Sequence, residues 1–111
     1  MKAAKTLWLR DEYLQLILEG CKTIEVRVGY SNIRRLKSGD ELLLNEVHHY
    51  RIVRIAWYSS FEELLQTEDS HQIAPDLSHD RLMSAFREIY PPEKEALGVA
   101  ALEITKAQEG N

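Results

Sequence analysis

Lys22, Glu25 and Arg27 are the residues whose types and spacing most invite chemistry. They fall within EGCKTIEVRVGY, residues 19–30, where a carboxylate stands between two cations in a short run of aliphatic residues. Cations in such a set can hold a phosphate or an oxyanion, and the carboxylate can accept from a base amino group or act as a base toward water. Side chains alternate across a strand, so Glu25 and Arg27 share one face with Thr23, while Ile24, Val26 and Val28 share the other. The aliphatic face is expected to pack into a core. Lys22, at the strand's entry after Gly20, has the reach to join the other two. On an exposed strand face the same Glu–Arg pair would be an ordinary ion pair, contributing about 0–1 kcal/mol.

The elements that must position these residues follow from pattern. Residues 5–10, KTLWLR, suggest a first strand. Asp11 is a helix N-cap candidate for the EYLQLILEG that follows, with Leu14, Ile17 and Leu18 on one face and Gly20 as the stop. The motif strand spans residues 22–28. Ser31 to Asp40 is polar and reads as a loop carrying Arg34, Arg35 and Lys37. It feeds Leu42-Leu43-Leu44, which forms a hairpin with HHYRIVRIAWY (residues 48–58), Asn45 and Glu46 lying near the turn. Ser60 and Glu63 have capping-box spacing for FEELLQTE. A second helix, starting at Ser78 or Asp80, carries Leu82, Phe86 and Ile89 as its apolar stripe, and Pro91-Pro92 ends it. LGVAALEI, residues 97–104, reads as a buried closing strand.

The strands lie too close in sequence for regular βαβ crossovers, which argues against a doubly wound sheet. The expectation is an α+β fold, a small, mostly antiparallel β-barrel with helices outside it. With 111 residues, 44% of them hydrophobic, one domain is expected, its core at about 5–105 and a short tail, KAQEGN, at its end. No apolar run reaches the roughly 18 residues of a membrane span, and the N-terminus meets charge too soon for a signal peptide. A cytoplasmic protein without membrane contact is expected. Cys21 is the only cysteine, so no intramolecular disulfide forms. No metal site or cofactor is expected, since His48 and His49, adjacent on a strand, point to opposite faces. His71 and His79 read as surface residues.

The net charge of −4 is unevenly spread. Residues 1–60 carry ten Lys/Arg against seven Asp/Glu, and residues 61–111 carry four against eleven. Such a chain is poorly suited to gripping long duplex nucleic acid, which depends on many phosphate contacts. A small basic cleft would favour a short or single-stranded ligand.

The full spacing, Gly20-x-Lys22-x-x-Glu25-x-Arg27 with Lys37-Ser-Gly39-Asp40 opening the next strand, resembles the ASCH domain, a member of the PUA-like group. The Ile89-Tyr90-Pro91 helix end and the final GVAALEI extend the likeness over roughly residues 5 to 105. The resemblance implies a β-barrel with flanking helices and a cleft for RNA or a nucleotide, lined by Lys22, Glu25 and Arg27, with Gly20 in the motif. Arg34, Arg35 and Lys37 are available for phosphates. Of the aromatics available for stacking, Tyr30 at the strand's end is the better candidate. Trp8 and Trp57 sit in apolar strands where core packing is the simpler use.

One branch of the family, which hydrolyses the acetyl amide of N4-acetylcytidine, uses a Lys, a Thr and a Glu. Lys22 matches that lysine, but the threonine falls on Glu25 and the acid falls on Pro75, beside Asp76. An amidohydrolase using Lys22 and Glu25 is thus the alternative to a binding domain. A protein–protein adaptor, marked by an exposed apolar patch, is a third.

Overall fold

A computed structural model describes residues 4–107 of the chain. In chain order they form β1 (Lys5–Leu7), α1 (Asp11–Leu18), β2 (Ile24–Val28), α2 (Ser31–Arg34), β3 (Glu41–Leu44), β4 (His48–Tyr58), α3 (Phe61–Thr67), α4 (Ser70–Ile73), α5 (His79–Ile89), α6 (Pro92–Glu95) and β5 (Val99–Lys106). The five strands make one sheet in the order β1-β3-β4-β5-β2, curled into a half-barrel. Three of its pairings are antiparallel and one, β1 with β3, is parallel. The sheet is therefore mixed, and β1 and β2 are its two free edges.

β5 is the strand around which the two layers assemble. It lies between β4 and β2, and Val99, Ala100, Ala101 and Leu102 are fully buried. A strand covered on both faces reads as a continuous apolar run. Ala100, Leu102 and Ile104 face a cluster that includes Leu42, Leu44 and Ile52 from the sheet, Ile17 from α1 and Ile33 from α2. Val99 and Ala101 face the opposite cluster, where Ile24, Val26 and Val28 of β2 meet Phe61 and Leu64 of α3, Ile73 of α4 and Phe86 of α5. The aliphatic side of β2 is thus anchored as its alternation demands. Phe61 and Phe86 stack at 4.5 Å between ring centroids.

Turn chemistry sets the β3–β4 hairpin. Asn45 and Glu46 have φ of 52° and 63°, the pair of left-handed residues that a tight hairpin turn needs. The Asn45 side chain also accepts from Leu9 N and donates to Leu9 O, at 2.8 and 2.9 Å, which ties the turn to the chain leaving β1. Ser60 accepts from Glu63 N at 3.0 Å as the capping spacing predicts, while the Glu63 carboxylate reaches Ser59. Ser78 caps α5.

Several expectations need correction. The first strand ends at Leu7, so Trp8 lies in a loop. Arg10 occupies the N-cap of α1, and Asp11 sits inside its first turn, where a carboxylate complements the helix dipole. The Ser31–Asp40 loop contains the single turn α2. The Pro75 region holds α4, capped by Asp69, and Pro91-Pro92 ends α5 while opening α6. Ile89 is 53% exposed instead of lying in the core stripe. The expected tail starts too early, since β5 runs through Lys106; its part beyond residue 107 lies outside the described residues. No helix among the described residues is long and apolar enough to cross a membrane.

Candidate functional site

The motif residues converge at the free edge of β2, beside a cavity of about 230 Å³. Lys22, Glu25 and Arg27 line it together with Val26. One wall comes from α5 and its C-cap, with Leu82, Phe86, Ile89 and Tyr90, and Trp8 and Tyr13 stand on the other side. Arg27 spans the gap between the sheet's two edges, Nη2 donating to the Trp8 carbonyl at 2.6 Å.

Lys22 is a buried tie, 4% exposed. Its Nζ donates to Ile24 O at 2.6 Å and to Ile73 O at 2.7 Å, and it lies 3.1 Å from Glu25 Oε1. An ammonium has three N–H groups, and three protein oxygens surround this one. Lys22 therefore joins β2 to α4 and has no donor left for a ligand. Arg27 is different. Nε donates to Glu25 Oε2 at 2.6 Å and Nη2 to Trp8, so among the described residues two of the guanidinium's five donors are engaged and three remain.

Glu25 stands between these cations. Burial pushes its carboxyl up, but the Lys22 and Arg27 charges and their hydrogen bonds outweigh that and hold it below the usual carboxylate range. It is a fixed anion and an acceptor. Burial pushes the Tyr90 hydroxyl up, Arg27 opposing and Glu25 and Tyr30 adding to the shift, so the phenol stays neutral at the rim.

The other candidates divide. Trp8 is 59% exposed at the cavity, so core packing is not its use. Tyr30 is exposed beside Lys94, whose ammonium lies 5.5 Å from its ring centroid. Gly20 supplies the positive φ of 81° that ends α1 and does not line the cavity. Arg34 packs over Trp57 at 4.1 Å and donates to the Leu97 carbonyl, and Arg35 lines a separate hollow with Lys5 and Asn32. The structure does not bring Arg34 or Arg35 to the motif. Thr23 gives its hydroxyl proton to Gln72 at 2.6 Å, and Asp76 is exposed outside the lining. The apolar stripe of α5, Leu82, Phe86 and Ile89, is legible in the sequence as a packing face, but nothing local shows that it walls the cleft.

A model of the ASCH domain matches residues 7–108. The chain belongs to the ASCH family. The structure of the hypothetical Pyrococcus protein PH0355 superimposes with a TM-score of 0.89 at 30% identity, covering 95% of this chain and all of that one. That of PF0455 from Pyrococcus furiosus superimposes with a TM-score of 0.81 at 30% identity, covering 96% of this chain and all of that one. No curated protein matches.

This ASCH domain also carries an ionic cluster away from the cleft. Arg54 forks onto Glu68 at 2.6 and 3.0 Å and donates to Glu103 at 2.7 Å, while Tyr58 Oη donates to Glu68 at 2.5 Å. The Arg54 hydrogen bonds hold Glu68 low against the opposing effect of burial. The cluster fastens the end of α3 to β4 and β5.

Proposed function

We propose that this ASCH domain binds a nucleotide or single-stranded RNA, taking one base into the cleft beside β2. The observation that carries the reading is Arg27, which has three donors without a partner among the described residues, beside an ionised Glu25 in a cleft with apolar and aromatic walls. Few polar groups set among apolar ones is the usual composition of a small-ligand site. At about 230 Å³ the cavity lies below the roughly 300–1,000 Å³ of drug-sized sites, so it suits a single base and not a length of polymer. Trp8 offers a ring face at the mouth, and base–aromatic stacking contributes about 1–3 kcal/mol per base.

The hydrolase alternative is less well supported. Lys22 has no spare donor, Glu25 is held in its weakly basic form, and the Thr23 hydroxyl points its proton at Gln72. Binding is tested by fluorescence anisotropy with short labelled RNAs against wild type, Arg27→Gln and Trp8→Ala, with folding verified by circular dichroism. Each variant should weaken binding by about tenfold, the loss of one charged hydrogen-bonding or stacking contact. Equal affinity in all three would remove the cleft from the role, and turnover of N4-acetylcytidine would install the hydrolase instead.

A further inference from the structure

The motif's side chains leave an unexplained pair of main-chain groups at the cavity. In an antiparallel pair, alternate residues turn both N–H and C=O toward the partner strand and the residues between turn both away. Ile104 N donates to Thr23 O and Gly29 N to Gly98 O, at 2.9 Å each. With the register Glu25↔Leu102 and Arg27↔Ala100, this directs Glu25 and Arg27 at β5, together with the Thr23 carbonyl and the Gly29 N–H, while Thr23 N donates to Gln72 O. Ile24, Val26 and Val28 therefore present N–H and C=O to the free edge.

The edge carbonyls on either side of Val26 are occupied. Lys22 Nζ occupies the Ile24 carbonyl, and Tyr30 N occupies the Val28 carbonyl at 2.8 Å. Of the three outward residues only Val26 lines the cavity. It is 7% exposed, and among the described residues neither its N–H nor its C=O has a protein partner. Buried main-chain polar groups are paired in the great majority of cases. Addition of an extended peptide strand needs an unbroken run of free edge donors and acceptors, and the occupied carbonyls of Ile24 and Val28 interrupt that run on both sides of Val26.

We propose that the Val26 main-chain N–H and C=O read the base by its hydrogen-bonding edge, the ligand being a nucleobase with an acceptor and a donor on adjacent atoms. The inference rests on the nucleotide-binding reading above and adds the group that recognises the ligand. The two groups of one extended residue lie side by side and point the same way. They match the adjacent donor and acceptor on the Watson–Crick edge of uracil, guanine, adenine or cytosine. Arg27 and Glu25, on the strand positions flanking Val26, hold the rest of the base and its sugar, and Trp8 covers its face.

The test is an ¹⁵N–¹H NMR titration of the full chain with the four 5′-mononucleotides and with the 5′-monophosphates of 3-methyluridine, 1-methylguanosine, N6,N6-dimethyladenosine and N4,N4-dimethylcytidine. The methyl groups remove the edge donor without adding charge to the base. The parent that binds best should shift the Val26 amide downfield, and its methylated counterpart should bind about tenfold or more weakly, as a site built on hydrogen bonds rejects an analogue lacking one. If parent and methylated forms bind alike and the Val26 amide does not move, Val26 is not the reader, while the cleft reading survives. If no mononucleotide binds, the inference falls; the RNA anisotropy measurements on the Arg27 and Trp8 variants then decide separately whether the cleft reading falls with it.

Discussion

Lys22→Met separates a buried structural tie from a ligand-facing cation. The substitution keeps most of the aliphatic stem and removes the ammonium. Ile24 O and Ile73 O then lose a donor, and Glu25 loses one of the two cations that justify its burial. Each orphaned carbonyl costs about 1–3 kcal/mol, and breaking a buried ion pair by removing one partner costs about 3–5 kcal/mol. These effects overlap, because the same amine makes all three contacts, so a loss of about 3–5 kcal/mol is expected. A small domain with a stability of about 5–15 kcal/mol survives that loss in the cold. At about 4–8 °C per kcal/mol, Tm should fall by roughly 12–40 °C. Urea denaturation at low temperature and a thermal scan measure both quantities. A change below about 1 kcal/mol, the usual value for an exposed pair, would refute the reasoning and return Lys22 to the ligand.

Three further outcomes follow from particular contacts. Because the Glu25 carboxyl is held below its ordinary value, its ionised form stabilises the fold; that contribution is complete above about pH 4.5 and fades as acid protonates it. Glu25→Gln should therefore lower urea stability at neutral pH and flatten its decline toward about pH 3, and an acid limb as steep as wild type would contradict this. Gly29→Ala would set a Cβ 2.7 Å from Leu97 O and 3.0 Å from both Arg34 Nε and the Trp57 ring, so a loss of about 1–3 kcal/mol is expected in denaturant titration. Glu95 accepts from Phe61 N at 2.8 Å and from Arg87 Nη1 at 2.5 Å, serving as a distant cap of α3. Glu95→Ala should cost about 1–2 kcal/mol and speed hydrogen exchange at the start of α3. Unaltered exchange there would deny it the capping role.

What the sequence made legible was local. The alternation in β2, the apolar run of β5, the Asn45-Glu46 turn and the Ser60 and Ser78 caps are all written within a few residues of where they act. The parallel pairing of β1 with β3 joins segments some 37 positions apart, Lys5 to Leu42, and three connecting elements hide it. The single turns α2, α4 and α6 carry too few residues for a periodic signal. The site shows the same division. Glu25 and Arg27 pair as their spacing suggests. The fate of Lys22 turns on Ile73 O, 51 residues away, which no motif could announce. The apolar run KTLWLR suggests a core position for Trp8, but β1 ends at Leu7 and leaves the ring exposed at the cleft.

The most direct measurement is a crystal structure of the protein soaked with the mononucleotide that binds it best. The expected result is a base inside the β2 cleft, one edge within hydrogen-bonding distance of Val26 and Arg27 and a face covered by Trp8, with the Lys22 contacts unchanged. A nucleotide held instead on the Arg35 and Lys5 hollow, with the β2 cleft untouched, would contradict the central claim.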